Sequence, residues 1–140
     1  MDHVKKRLSP GTVILGDSEN AAAGGDNTFI EVGFTKIATE IGNKVYSNIV
    51  AVGTLAAMFD IDLDTVKTFI GRHFSAKNEK IINENIHAAE AGFKEGVELV
   101  TSGKLKIEIE RDESVSGQIV VSGAEAVGLG AIASGCNFIS

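Results

Sequence analysis

The stretch from Val45 to Phe59, VYSNIVAVGTLAAMF, constrains the fold of this chain more than any other. No charged residue stands between Lys44 and Asp60, and Ala51, Gly53, Ala56 and Ala57 give the segment a small-residue surface. A helix that is apolar on every side is expected to be covered by neighbours on more than one face. Gly53 in mid-helix costs about 1 kcal/mol against alanine, and close approach of another backbone is the expected compensation. Asn48 is the only strongly polar group in the run. A buried amide must find partners, so Asn48 is expected to act as a structural cap or bridge, with an interface contact as the alternative. The run falls short of the roughly 20 apolar residues that span a bilayer. It reads as the central helix of a core.

The segments around it supply neighbours. Val4 to Leu8 reads as the end of a basic helix, stopped by Ser9-Pro10-Gly11. Thr12 to Leu15 reads as a buried strand, and a small-residue loop then runs to Asn27 before a second short strand at Phe29 to Val32. Phe34, Ile37, Ala38 and Ile41 recur at helical spacing, with Gly42-Asn43 as the stop. Asp62 is the expected N-cap of a helix burying Leu63, Val66, Phe69, Ile70 and Phe74. From Asn78 to about Val100 a longer helix carries the stripe Ile82, Ile86, Ala89, Phe93, Val97 and Val100, with Glu84, Glu90, Lys94 and Glu98 elsewhere on its surface. Leu105, Ile107 and Ile109 alternate with charges and predict a half-buried strand. Arg111 to Gly117 is polar and reads as a linker. Gln118 to Val121 reads as a strand, Ala124 to Ser134 as a small-residue helix, and Asn137 to Ser140 as the start of another strand.

Composition narrows the function classes. The chain has 140 residues, enough for one domain with a real core. Thirteen Lys and Arg against nineteen Asp and Glu give a net charge of −6, which argues against a nucleic-acid binder. Seven Phe and one Tyr leave little for base stacking. The single cysteine, Cys136, cannot form an internal disulfide or hold an iron–sulfur cluster, and its GCNFI context predicts an inert core thiol. The N-terminus lacks the apolar core of a signal peptide, so the cytoplasm is the expected compartment.

Local chemical motifs are weak. Gly128-Leu129-Gly130-Ala131-Ile132-Ala133 fits a G-x-G-x-x-A pattern, but its glycines fall inside the expected helix rather than at a strand-to-helix turn, so packing is the expected role. Asp17 and Asn43 resemble an Asp and Asn pair that holds a metal on thiamine diphosphate, with a turn and a helix stop as the expected reading. His3, His73 and His87 show no metal-ligand spacing. No catalytic triad can be named.

Two segments together resemble one family. Ser122 to Ser140, SGAEAVGLGAIASGCNFIS, is similar to the opening of the alpha subunit of 2-oxoacid:ferredoxin (acceptor) oxidoreductases. The part before it resembles the C-terminal portion of the gamma domain fused ahead of many such subunits. The pieces FTKIATEIGN, YSNIVAVGTLAAMF, DLDTVKTFIGRHF and NENIHAAEAGF follow in the family order, and Asn48, Gly53, Asn85, Gly123 and Glu125 fall on matching structural positions. Gly33 and Ala124 depart from the proline and asparagine common there. The GxGGxG-type loop of a gamma domain and the YP-x-TPS-type segment of the alpha subunit do not occur.

The resemblance implies an α/β fold. Residues 1–101 would be the helix-rich C-terminal part of a Rossmann-like gamma domain, 102–117 a linker, and 118–140 the first βα of a second, truncated α/β domain. It implies an enzyme that decarboxylates a 2-oxoacid on thiamine diphosphate with magnesium, passes electrons through iron–sulfur clusters and uses coenzyme A as acyl acceptor. A thiamine-binding beta subunit and a ferredoxin-type acceptor are the implied partners. No catalytic residue or metal ligand of the family carries over to a position here, and which residues would bind a cofactor stays open. The chain is therefore expected to be a non-catalytic fragment that self-associates through exposed edges and apolar faces; the alternative is a freestanding binding or assembly module.

Overall fold

The computed structural model of the chain describes residues 8–19, 27–105, 107, 109–110 and 112–137. Internal contacts divide the chain into two units, 1–109 and 110–140. The expected basic helix before Leu8, most of the small-residue loop and the final strand start lie outside the described residues.

The first unit opens with a turn at Pro10-Gly11, where Thr12 N–H donates to Ser9 O at 3.0 Å and Gly11 takes φ 87°. Proline pre-sets the first central position of such a turn and glycine supplies the positive φ at the second. Strand β1, Val13–Gly16, then pairs in parallel with β2, Thr28–Glu31, with Ile14 opposite Phe29 and Leu15 opposite Ile30. Helix α1, Phe34–Ile41, follows, with Ala38 fully buried on its apolar stripe.

The central segment departs from a simple rod. Asn43 Oδ1 accepts from Val45 N–H at 3.0 Å and starts a 3-10 turn at Lys44–Tyr46. Helix α2, Ser47–Met58, only then begins. It ends in a paired carbonyl lock, with Ile61 N–H on Ala56 O at 2.8 Å and Asp60 N–H on Ala57 O at 3.3 Å. Asp60 holds the left-handed conformation this stop requires, with φ 54°. Helix α3, Leu63–His73, starts as expected at Asp62, whose carboxylate accepts from Thr65 N–H at 2.9 Å. Helix α4, Glu79–Thr101, starts at Asn78, whose Oδ1 accepts from Ile81 N–H at 2.9 Å. Each cap satisfies an amide that the helix itself leaves open.

Helices α2 and α4 lie against each other through small residues, and they run in the same direction. A Cβ placed on Gly92 would strike the Val50 carbonyl, one on Gly53 the Ala89 carbonyl, and one on Gly96 the Thr54 carbonyl and Ala57 Cβ. The contacts climb both helices together, from Val50–Gly92 to Thr54–Gly96. Gly53 thus has the close backbone neighbour that offsets its helix cost. Thr54, fully buried, donates its hydroxyl proton at the seam, with both Val50 O and Gly92 O at 3.0 Å.

Around this pair the core forms three clusters. Ala38, Val50 and Ala88 fasten α1, with Phe34, Ile37 and Ile41 against them. Ala56, Ala89, Val66 and Ile70 fasten α3, with Ile86, Phe93 and Phe74 alongside. Val32, Met58, Leu99 and Leu105 tie the sheet to the C-terminal ends of α2 and α4.

Several sequence expectations require correction. The buried face of α4 is Asn85, Ala88, Ala89, Gly92, Gly96 and Leu99, rotated from the predicted large-residue stripe. Val97 and Val100 of that stripe are exposed. Small residues win the inner face because only they permit backbone contact with α2. Phe69 of α3 is 65% exposed rather than buried, and its ring stacks on His73 at 5.7 Å. Leu105 is buried and Ile107 packs on the Val32, Met58 and Leu99 cluster, but no strand ladder forms there among the described residues.

In the second unit, Asp112 caps a 3-10 turn at Glu113–Val115 by accepting from Ser114 N–H at 2.9 Å. Gln118 to Val121, predicted to be a strand, has no ladder partner among the described residues, and Val120 is wholly exposed. A strand without a neighbour leaves its backbone to water, so the pattern alone does not make one. Helix α5, Gly123–Ala133, is closed at both ends. Ser122 and Glu125 form a reciprocal capping box. At the other end Gly135, with φ 84°, lets Cys136 N–H reach Ala131 O at 3.0 Å. Cys136 is exposed, contrary to the core thiol expected from its apolar context.

Candidate functional site

The C-terminal end of β1 and the first turn of α1 enclose a shallow groove of about 420 Å3, lined by Asp17, Ser18, Glu19, Thr35, Lys36, Thr39 and Glu40. Carboxyl ends of parallel strands are common ligand sites in open α/β sheets. Asp17 is already engaged here. Its Oδ1 accepts from Thr35 N–H at 2.9 Å and its Oδ2 from the Thr35 hydroxyl at 2.8 Å. It thereby caps α1, whose own flanking residue, Gly33, has no side chain to do so. Asn43 caps the 3-10 turn beyond the other end of α1. An eight-residue helix rises about 12 Å, so Asp17 and Asn43 do not converge on one metal. Among the described residues no group of three His, Cys, Asp or Glu side chains could hold a metal ion.

A second polar feature straps the start of α2 to α4. The Tyr46 hydroxyl donates to Glu84 Oε2 at 2.5 Å, and Lys80 approaches the other carboxylate oxygen at 3.8 Å. The hydrogen bond to Glu84, then burial, raise the phenol above its ordinary value near 10. The neutral phenol is thus the form that folding favours. Its contribution is complete below about pH 10 and is lost as pH rises through the folded-state value. Tyr46→Phe is expected to remove that alkaline loss, seen as a smaller fall in urea midpoint between about pH 8 and about pH 11 than in the parent. Equal falls would show that the bond does not persist in solution. On the other flank Lys67 donates to Glu90 at 2.7 Å, joining α3 to α4 and raising the Lys67 ammonium above the usual lysine range.

The largest functional lead is an omission in the cover of α2. Asn48, Val52, Leu55 and Phe59 recur at steps of four, three and four residues, and all four are exposed. Val52 is 47% exposed, Leu55 41% and Phe59 38%. The helix is therefore covered on more than one face, as expected, by two flanks and its seam, while this fourth side stays open. Asn48 is exposed as well, its Oδ1 accepting only locally from Ile49 N–H at 3.0 Å, so it is not the buried amide anticipated. Asn85, by contrast, is 3% exposed and returns its Nδ2 proton to Ile81 O at 2.7 Å. Asn85 and Gly53 thus belong to the α2–α4 seam, whereas Asn48 belongs to the open face. Sequence periodicity missed that face because nearly every side of α2 is apolar, and Asn48 at its start is the single strongly polar residue that marks the wet one.

In the second unit, Gly123 is the first helical residue and Glu125 the acid of the capping box, accepting from Ser122 N–H at 2.7 Å. That backbone bond, together with the Ser122 hydroxyl, holds the Glu125 carboxyl below its ordinary value. Gly128 and Gly130 sit inside α5 with open space where a Cβ would go, so they form no phosphate-cradling turn. Val127, Leu129 and Ile132 are exposed on the same helix. His73 lies against Phe69 and Phe74, His87 is exposed, and His3 lies outside the described residues. No described helix is long and apolar enough to cross a membrane.

These features amount to a scaffold with open apolar faces, and comparison with known proteins gives it a setting. The family described as pyruvate ferredoxin/flavodoxin oxidoreductase matches residues 1–95. No curated protein sequence matches the chain. A solved structure of 2-oxoglutarate:ferredoxin oxidoreductase from Magnetococcus marinus, with 2-oxoglutarate, coenzyme A and succinyl-CoA bound, is similar in fold. The TM-score is 0.70 at 23% identity, and the match covers 94% of this chain and 23% of that one. The chain therefore spans about a quarter of the length of the structure it resembles. With the family matched over more than half of its residues, and helices α1 to α3 and most of α4 inside that match, the chain belongs to the pyruvate ferredoxin/flavodoxin oxidoreductase family.

Proposed function

We propose that this chain is a non-catalytic structural component of a 2-oxoacid:ferredoxin oxidoreductase. In this reading residues 1–101 act as a gamma-type domain, 102–117 as a linker and 118–140 as the start of an alpha-subunit domain. The family match over residues 1–95 carries the proposal. The open face of α2 supports it, because a domain that forms a quarter of a larger chain would meet the rest of that enzyme across such a face.

The whole enzyme would decarboxylate a 2-oxoacid on thiamine diphosphate with magnesium, pass electrons through iron–sulfur clusters to a ferredoxin-type acceptor and deliver the acyl group to coenzyme A. In this reading the seats for these groups lie elsewhere in the enzyme. One cysteine cannot supply the several thiolates of a cluster. This chain's part is to hold shape and to dock, with the thiamine-binding beta subunit as partner and the cytoplasm as compartment.

The test is co-expression with a thiamine-binding beta subunit of the same family. Co-elution on gel filtration is expected, with no 2-oxoacid-dependent dye reduction by the purified chain alone. Turnover by the chain alone would overturn the non-catalytic role. Failure to associate would favour the freestanding binding module instead.

A further inference from the structure

We draw no further inference here: the strongest candidate, the exposed apolar stripe Val52, Leu55 and Phe59 on the central helix α2, belongs to the docking face already proposed, and nothing in the structure shows what else would cover it.

Discussion

Gly92→Ala is expected to destabilise the first unit by about 3 kcal/mol, the upper end of the usual cost of overpacking a tight core. For a unit of this size that is a fall in Tm of roughly 15 °C. The added methyl would strike the Val50 carbonyl, which is backbone and cannot rotate away. The two helices would have to separate, and Thr54 would lose its reach to Gly92 O. Gly71→Ala is the matched control. Gly71 lies in α3 with nothing within 4 Å of an added Cβ, so the same change should stabilise by up to about 1 kcal/mol. Thermal unfolding of the two variants separates the explanations. If Gly92→Ala behaved like Gly71→Ala, the backbone-to-backbone seam would not exist.

Leu55→Glu is expected to leave folding almost untouched and to disable docking. Leu55 is 41% exposed and sits in the middle of the open stripe. Glutamate is a good helix former, so the loss of stability should stay within about 1 kcal/mol. A charge buried without a partner at the centre of an apolar contact costs about 2 kcal/mol or more, which is roughly a 30-fold loss of affinity for the beta subunit. The same substitution should suppress self-association of the isolated chain, measured by sedimentation velocity. Parent and variant binding equally well would remove α2 from the interface. A parent chain that sediments only as a monomer would also count against the open faces driving assembly.

Much of the fold was legible because it is written in short-range chemistry. Asp62 and Asn78 announce helix starts by their ability to accept from the second or third amide, and both do so. The α1 stripe reads correctly because its apolar residues are few and its outer face is polar. Orientation was harder. On α4 the large residues at Val97 and Val100 suggested one inner face, while the glycines and alanines occupy it. Periodicity weighs hydrophobic bulk, whereas this core is selected for small volume, and the two criteria point to different sides of the same helix. The open face of α2 was hard to read for a related reason: an apolar residue left exposed looks the same in sequence as one that is buried. Cys136 misled in the same way. The end of α2 at Phe59 was legible, but its lock was not, because the left-handed position is usually glycine and here Asp60 adopts it.

The α2–α4 seam also sets an order of events during synthesis. Thr54 and Gly92 are 38 positions apart, as are Tyr46 and Glu84. At typical ribosomal rates of about 5–20 residues per second, α2 waits roughly 2–8 s before its matching surface has been made. During that interval its glycine and threonine face has only α1 and the nascent α3 for company. Closing a loop of this length costs only slightly more than closing a shorter one, since the penalty grows with the logarithm of length. The delay is therefore one of time rather than equilibrium, and it exposes the seam of the newborn helix until the later helix arrives.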